Sequence, residues 1–434
     1  MTLRISKQNH VQGNILVVAM VVTLLVGFAM ASYLSLVQSQ HLSVARSQAW
    51  NAALALAESG IEDGLAQVNV NFGTNYFSSA QTNWGGTDGV YGPKTVAIGG
   101  DSYSTIIISA TPGPTIVATG YTTIPLSSKT IKRTVQAATT PAFAFGGAIA
   151  ALQNVTMNGN NIMVDSYDSA DPLHSTNGLY NAATRKAGGD ISSVGGLLNV
   201  GNADIFGHVR TSPLGNATTG PQGQVGDLSW SGPGIQPGWY INDYNADFPD
   251  VTAPFTSGSS VVPNGTGTNT YELATGDYFV NGSFTVANNE TMLITGNVKL
   301  YVTGNFTMQG QNGSYISIAP GATLKLYVGT QSGPAVSTTF MNVNNAGNAA
   351  TFQFYGLPSN TSASWSGNAE YIGTVYAPEA QFTLGGGGNN NRDYQGSCVV
   401  KSVIMNGHFN FHYDENLKKI GPVSGFTIAS WREL

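Results

Sequence analysis

The most constraining feature of the sequence is an uncharged apolar run near its N-terminus. Residues Ile15 to Leu36 read ILVVAMVVTLLVGFAMASYLSL, with no proline and a single glycine, Gly27. At about 1.5 Å per residue, a helix of this length spans roughly 33 Å, slightly more than the ~30 Å hydrocarbon core of a bilayer. The run therefore predicts a membrane-spanning helix to which the rest of the chain is attached.

The charges around this run predict its orientation. Arg4, Lys7 and His10 precede it, and no acidic residue occurs in the first 57 positions. Positive charge on the N-terminal side favours a cytoplasmic N-terminus and an external body. A cleaved secretory signal is the alternative, because Ala29-Met30-Ala31 has the form of a cleavage site. The apolar region of such a signal, however, is only about 7 to 15 residues long.

The helix is predicted to continue beyond the membrane, over residues 14–70. Between Leu54 and Val68 apolar residues recur at offsets of 3, 4, 4 and 3, which draws one apolar stripe along a helix. Glu58, Glu62 and Asp63 lie off that stripe. The first half of this helix is apolar on all sides, which is expected in lipid or in a helix bundle. The second half is amphipathic, which is expected of a helix that packs against its own globular domain.

Composition predicts that the remaining chain is folded and rich in β-structure. Charged residues make up only 9% of the chain, while hydrophobic residues reach 41%, a combination that differs from the highly charged, weakly hydrophobic chains that stay disordered. Residues 71–140 contain β-branched segments separated by turn residues, which predicts several strands. The net charge of −6 gives no electrostatic case for nucleic-acid binding.

Residues 141–420 have a different pattern, of short apolar segments with glycine and asparagine between them. Three similar copies, Val280–Phe284, Ile294–Val298 and Val302–Phe306, each have glycine in the third position. Such repeats predict a β-solenoid, in which each coil buries its apolar row on the next. A β-sandwich or jelly roll is the structural alternative. Solenoids need capped ends, so we expect residues 421–434 to form a closing strand.

Two N-terminal motifs resemble those of type IV pilin-like proteins, most closely the PilX-type minor pilins. Gln12-Gly13-Asn14 precedes the apolar run, and Ala57–Glu62, AESGIE, follows it. The resemblance implies a leader peptide over residues 1–13 that a prepilin peptidase removes between Gly13 and Asn14. It also implies a small pilin-like antiparallel sheet over residues 71–140. Three short segments of residues 141–420, Asp165–Ser169, Gly373–Pro378 and His412–Asp414, resemble in their order the β-helical domain of uncharacterised function that follows PilX-type N-termini in large bacterial surface proteins.

The same resemblance implies that the helix carries subunit assembly. The candidates are Ile15, Val18 and Gly27 in the apolar half, and Glu58 and Glu62 beyond it. Major pilins have glutamate at the fifth position after the cut, where this chain has Val18, and this departure favours a minor subunit. The implied partners are other pilin-like subunits, the pilus assembly machinery, the prepilin peptidase and the inner membrane, before display on the cell surface.

No motif in the β region predicts a catalytic site. Asp165, Asp168 and Asp171 are spaced by three and are candidate calcium ligands, although aspartates that bond their own backbone in turns have the same pattern. No other cofactor is predicted. His408 and His412 lie on one side of an extended segment, but the sequence indicates no third ligand for a metal.

The sequence thus predicts an α+β protein that is a pilin-like subunit of a type IV pilus or pseudopilus. We expect a minor or tip-located subunit whose β domain serves assembly or adhesion and is not an enzyme. One alternative is a membrane-anchored β-helix enzyme acting on extracellular polysaccharide, which requires two carboxylates across a groove. The other is a non-filamentous cell-envelope scaffold whose helix stays in the membrane.

Overall fold

The chain divides into two compact units. The computed structural model describes residues 12–70, 84–87, 89–110, 112–125, 127, 129–159, 162–264, 268–310, 313–366, 370–385, 393–407 and 410–434. The first unit comprises Met1–Thr140 with Phe426–Leu434, and the second, the β unit, comprises Pro141–Gly425. Most of the predicted leader, residues 1–11, lies outside the described residues.

A single α-helix, α1, runs from Gln12 to Val70. Its 59 residues correspond to a length of roughly 88 Å, and no proline interrupts it. The predicted long apolar N-terminal helix is therefore confirmed. Its first half exposes its side chains, whereas Ala57, Ile61 and Val68 in its second half are buried.

A six-stranded sheet completes the first unit. Its strands follow the order β1-β2-β3-β4-β5-β32, and the pairs from β1 to β5 are antiparallel. The strands are β1 Gly86–Thr87, β2 Val90–Ile98, β3 Asp101–Ile108, β4 Thr115–Thr123, β5 Thr130–Phe143 and, at the end of the chain, β32 Val423–Glu433. In β3 and β4 buried residues alternate with more exposed ones, as one face of a sheet covering a core requires.

The buried face of this sheet packs on the apolar stripe of α1. The stripe residues Ala57, Ile61 and Val68 form one core with sheet residues such as Ile116 and Val135. The predicted stripe is therefore the face that the sheet covers. Burial of apolar side chains at about 1.5–3 kcal/mol each is what holds the second half of the helix to the sheet.

Three glycines allow the helix and the sheet to approach closely. A Cβ atom on Gly60 would lie 2.8 Å from the Ala118 Cβ, and one on Gly64 would lie 2.5 Å from the Ile116 side chain. On the sheet side, a Cβ on Gly120 would lie 2.1 Å from the Ala53 carbonyl oxygen. Each contact is shorter than two atoms can tolerate, so these positions require glycine for steric reasons.

The C-terminal strand differs from its prediction. We expected residues 421–434 to close the solenoid, but β32 lies beside β5 in the six-stranded sheet. Its Phe426 N–H donates to Asn69 Oδ1 (2.7 Å), and Asn69 Nδ2 donates to the Phe426 carbonyl (3.2 Å). Arg133 also bonds Glu433 in a bidentate pair. These long-range partners, which leave no pattern in the local sequence, determine the sheet to which β32 belongs.

The β unit consists of short strands in a 22-stranded and a four-stranded sheet. One group of strands precedes a long connection, and a second group follows it. The first group is β6 Ile149–Ala151, β7 Val155–Met157, β8 Met163–Tyr167, β9 Ile191–Ser193, β10 Leu197–Asn199, β11 Asp204–Phe206, β12 Val209–Thr211, β13 Asn216–Thr218, β14 Gln224–Gly226, β15 Gly234–Ile235 and β16 Tyr240–Ile241.

The second group follows that connection and leads back to the first. It comprises β17 Tyr271–Leu273, β18 Gly276–Val280, β19 Phe284–Val286, β20 Thr291–Ile294, β21 Asn297–Val302, β22 Phe306–Met308, β23 Tyr315–Ile318, β24 Thr323–Val328, β25 Val336–Phe340, β26 Val343–Asn345, β27 Phe352–Gly356, β28 Asn360–Trp365, β29 Tyr371–Leu384, β30 Tyr394–Met405 and β31 Phe411–Asp414. Short 3-10 helices occur at Ala182–Thr184, Ala349–Thr351 and Glu415–Lys419.

The strands of the β unit pair in parallel along continuous ladders. One ladder has the order β16-β12-β9-β6-β30-β29-β27-β24-β21-β18. A second has the order β13-β10-β7-β30-β29-β28-β25-β22-β19. On a third side, β15-β14-β11-β8-β31 and β17-β20-β23-β26 are also parallel.

The registers show the true spacing of the repeated motif. Val280 pairs with Val302 and Phe284 with Phe306, so the first and third copies stack at a separation of 22 residues. The middle copy has other partners, because Ile294 pairs with Leu273. The middle and third copies begin eight residues apart in sequence, but Val298 and Phe306 belong to different ladders, so eight residues is not the length of a repeat.

Aromatic rings on neighbouring strands lie next to one another inside the β unit. The Phe306 ring lies 6.1 Å from both Phe284 and Phe340, measured between centroids. Further along, Tyr394 stacks between Tyr371 (4.8 Å) and Phe411 of β31 (4.2 Å). Each ring thus covers the ring on the neighbouring strand, so removing one leaves a cavity between two others.

We expect Gly120→Ala to destabilise the first unit by about 1–3 kcal/mol, because the new Cβ would press on the Ala53 carbonyl. Urea unfolding of the full chain in detergent micelles, followed by Trp fluorescence, measures this. Gly100→Ala is the matched control, since a Cβ there has no neighbour within 4 Å. Equal unfolding midpoints for the two variants would contradict the close approach of helix and sheet.

We expect Phe306→Ala to lower the free energy of unfolding of the β unit by about 3–5 kcal/mol, through a cavity in the aromatic stack. The same urea titration, followed by far-UV circular dichroism, gives the value. Leu214→Ala, at a side chain that is 100% exposed, should change it by less than about 0.5 kcal/mol. A similar small effect at Phe306 would mean that the stack does not support the fold.

Candidate functional site

The first half of α1 is an apolar surface that the chain itself does not cover. Ile15, Leu25 and Phe28 are 68%, 63% and 66% exposed. By length and composition this helix can cross a membrane, which is compatible with membrane anchoring. So much exposed apolar area is unfavourable in water, and it requires lipid or other helices as its surroundings.

The predicted assembly residues lie along this helix. Ile15 and Val18 are exposed, and a Cβ on Gly27 would have no neighbour within 4 Å. Glu58 and Glu62 are also exposed, on the face of the helix that the sheet leaves open. All five predicted assembly positions are therefore accessible to a partner.

The predicted cleavage site is described only in part. Gly13 and Asn14 belong to the backbone of α1, while their side chains lie outside the described residues. Cleavage between them remains a prediction.

Asp63 has a role that sequence reasoning missed. It is half-buried, with its carboxylate 2.8 Å from Lys94 Nζ and accepting a bond from the Tyr103 hydroxyl (3.2 Å). Burial and the nearby Asp63 charge raise the pKa of Tyr103. Asp63 thus ties the helix to β2 and β3, whereas Glu58 and Glu62 are exposed to solvent, with Arg133 close enough to Glu58 to interact electrostatically.

A second cluster of charged side chains lies inside the β unit, where β8 and β31 pair. His412 of β31 is directly opposite Asp165 of β8, and the ring nitrogen Nδ1 lies 2.5 Å from Asp165 Oδ1. His412 is 1% exposed and Asp165 is fully buried. The other ring nitrogen, Nε2, lies 3.5 Å from Asp393 Oδ2. One imidazole therefore faces a carboxylate on each side.

Two residues of the loop after β8 complete this cluster. The Tyr180 hydroxyl donates to Asp165 Oδ2 (2.8 Å), and its ring stacks on His412 at 3.4 Å between centroids. Arg185 Nη1 lies 3.8 Å from the same carboxylate. Burial, reinforced by Asp165, raises the pKa of Tyr180. The tyrosine thus stays a neutral donor at physiological pH.

The electrostatics of the cluster favour a charged imidazole. Burial alone would lower the pKa of His412, but its hydrogen bond to Asp165 and the nearby Asp165 and Asp393 carboxylates outweigh that effect and raise the pKa. Glu370 is also close. Burial, followed by the Asp393 charge, raises the pKa of Glu370, and His412 opposes this shift.

The three candidate calcium ligands do not share one environment. The Asp168 carboxylate accepts from the Ala170 N–H and the Asp171 carboxylate from the Leu173 N–H, both at 2.9 Å, which is the bonding of turn-forming aspartates. Asp165 instead faces His412. Among the described residues, no group of three or more His, Cys, Asp or Glu has metal-binding geometry. His408 lies outside the described residues.

A cavity of about 410 Å³ lies beside Glu370. The described residues that line it are Ser317, Val343, Asn344, Asn345, Ala346, Glu370 and Ile372. This lining includes one carboxylate and no aromatic ring. The polysaccharide-cleaving alternative requires a second carboxylate across such a groove, together with surfaces on which sugars stack.

Comparisons with known proteins give one partial family match. A family model for a domain of unknown function (DUF7305) matches residues 241–420, less than half of the 434-residue chain. No curated protein matches the chain.

Among solved structures, the chain is similar to the competence-associated pilin ComZ from Thermus thermophilus, at 12% identity and a TM-score of 0.29. The match covers 89% of this chain and 97% of that one. At such a score the two structures cannot be treated as one fold, so the function has to be argued from this chain itself.

We expect Leu25→Arg to make membrane insertion less favourable by about 3 kcal/mol, because it places a charge at the centre of the apolar run. The measurement is the fraction of protein left in membranes after alkaline carbonate extraction. Gln38→Arg, at an exposed position beyond the run, is the matched control and should remain fully in the membrane fraction. Equal retention of both variants would show that residues 15–36 do not span the bilayer.

Proposed function

We propose that the chain is a pilin-like subunit, minor or tip-located, of a type IV pilus or pseudopilus. One observation carries the proposal: a single helix is exposed and apolar in its first half, and is covered by its own antiparallel sheet in its second half. The first half can then lie in the inner membrane before assembly and among other pilin-like helices afterwards, with the sheet and the β unit outside.

The energetics support an assembled state for this helix. If half of the side chains in Ile15–Leu36 were buried by neighbouring helices, roughly ten apolar residues would contribute at about 1.5–3 kcal/mol each relative to water. Transfer out of lipid supplies little of that energy, so close packing has to provide the stabilisation within a membrane. Because Val18 replaces the glutamate of major pilins, docking of this subunit would depend on apolar packing alone at that position.

We further infer that the β unit is a β-solenoid. Parallel ladders on three sides, with partners 22 residues apart in two consecutive strand pairs and 26 apart in the next, support this inference. The aromatic stack supports it as well, since a sandwich would not place equivalent rings in line from turn to turn.

The proposed role of this β unit is adhesion or surface assembly through shape complementarity, and not catalysis. The chain would meet the prepilin peptidase and the pilus assembly machinery on its way to the surface. The polysaccharide-cleaving enzyme and the envelope scaffold remain the competing functions, and the state of the N-terminus separates the scaffold from the pilin.

We expect the mature chain to begin at Asn14 when it is expressed with a prepilin peptidase, and intact-mass spectrometry measures this directly. Gly13→Val should abolish the cleavage, whereas Gly27→Ala, beyond the cleavage site, should leave it unchanged. A chain that retains residues 1–13 with active peptidase present would favour the envelope scaffold. A chain that begins after Ala31 would instead identify a secreted protein.

A further inference from the structure

The Asp165–His412 pair lies where the chain closes the β unit on itself. We call this place the seam: the pairings of β30 with β6 and β7, and of β31 with β8. It joins the first strands of the unit to its last, which are about 250 residues apart in sequence. Next to it, the Ala144 N–H donates to the Pro422 carbonyl (2.9 Å), so the chain enters and leaves the unit at the seam.

The geometry at His412 specifies its protonation state. A neutral imidazole has one N–H donor, and its second nitrogen presents a lone pair. Here Nδ1 is hydrogen-bonded to Asp165 Oδ1 at 2.5 Å, whereas Nε2 makes no hydrogen bond among the described residues and lies 3.5 Å from Asp393 Oδ2. In the neutral form one lone pair would therefore point at a carboxylate. Only the imidazolium presents a proton to both, and the Tyr180 ring stacked on it favours that positive charge.

We propose that His412 is a proton-dependent latch, which holds the seam of the β unit closed while it is protonated and releases the seam when it loses its proton. The groups that face it come from four other parts of the unit. They are Asp165 of β8, Tyr180 and Arg185 of the loop after β8, Asp393 before β30, and Glu370 before β29.

The balance of charge in the cluster makes the latch sensitive to that proton. With His412 charged, its positive charge and that of Arg185 oppose the carboxylates of Asp165 and Asp393. Without it, the buried Asp165 and the partly exposed Asp393 face one guanidinium, which lies 3.8 Å from Asp165. The Asp393 Oδ1 atom is buried and has no hydrogen-bond partner among the described residues. Losing the proton thus removes one of the two positive charges that oppose these carboxylates.

The direction of the pH effect follows from these contacts. Since the pKa of His412 is raised above its ordinary 6.5, its contribution to stability is fully present below pH 6.5 and is lost as the pH rises through the folded-state value. Glu370 also makes the seam less stable as the pH rises, because its pKa is raised as well. Its effect begins at a lower pH, near its ordinary pKa of 4.5. The seam should therefore be tightest in mild acid and weakest in alkali.

Hydrogen exchange with mass spectrometry tests the latch on the full chain in detergent micelles at pH 6 and pH 9. After correction for intrinsic exchange, protection of β8 and β31 should fall at pH 9 by about tenfold for each unit by which the pKa is raised. Protection of β24, far from the seam in the ladder, should not change. Equal protection of β8 and β31 at the two pH values would overturn the proposal.

Two variants separate the latch from a purely structural histidine. His412→Gln keeps a neutral donor but does not titrate, so the pH dependence at the seam should disappear. Asp393→Asn supplies an amide that can donate to a neutral Nε2, so the dependence should shrink even if the glutamine variant fails to fold. Asp277→Asn, at an exposed carboxylate 3.7 Å from Lys299, is the control and should behave as the wild type does. A full pH response in Asp393→Asn would contradict the latch.

Discussion

The organisation of the β unit depends on the pairing of β32 beside β5. These two strands lead into and out of the unit, and they are neighbours in one sheet. Neighbouring strands are only about 4.8 Å apart, so the first and last turns of the unit have to meet. They do so at the seam, where β6, β7 and β8 pair with β30 and β31. The chain therefore begins in the middle of its own ladders and extends to β16 at one end. It then crosses to β17 through a segment with a single isolated bridge among its described residues.

Stacking in register also explains why the chain contains so few charges. Paired residues of neighbouring parallel strands lie side by side, so like charges at paired positions would repel each other. Neutral groups avoid this, as when the Thr303 hydroxyl donates to Asn281 and the Asn305 N–H donates to the Ser283 hydroxyl. Lys299 and Lys325 are an exception, because they are paired, and Asp277 on the neighbouring strand β18 lies 3.7 Å from the former. The abundant asparagine, serine and threonine residues thus provide neutral side chains that can hydrogen-bond between neighbouring strands.

The parts of the fold that could be predicted are those with a local cause. The uncharged run, the stripe through Val68 and the absence of proline specify α1, because helix periodicity acts over a few residues. The strands of the antiparallel sheet were similarly readable from alternation. The pairing order of the β unit was not, since parallel partners such as β30 and β6 lie some 250 residues apart and leave no local pattern. For the same reason β32 was recognised as a strand but assigned to the wrong sheet.

The candidate sites divide in the same way. Ile15 and Val18 lie in a long uncharged apolar run, which predicts a membrane helix, so the sequence alone indicates that the rest of the chain leaves them exposed. Asp165 was singled out for its spacing from Asp168, but its actual partner is His412, which comes 247 residues later. Spacing is informative for turns, where the bonds of Asp168 are local. It is uninformative for a buried carboxylate, whose partner is determined by the ladder register.

The adjacency of β5 and β32 has a mechanical consequence. A tensile load on the β unit, for instance from an attached surface, enters the first unit through two neighbouring strands at once and not through a single tether. Those strands are bonded laterally to each other and, through Asn69 and Phe426, to the end of α1. The load is thereby distributed over the lateral hydrogen bonds of these strands and the two bonds between Asn69 and Phe426, and is not carried by one strand alone.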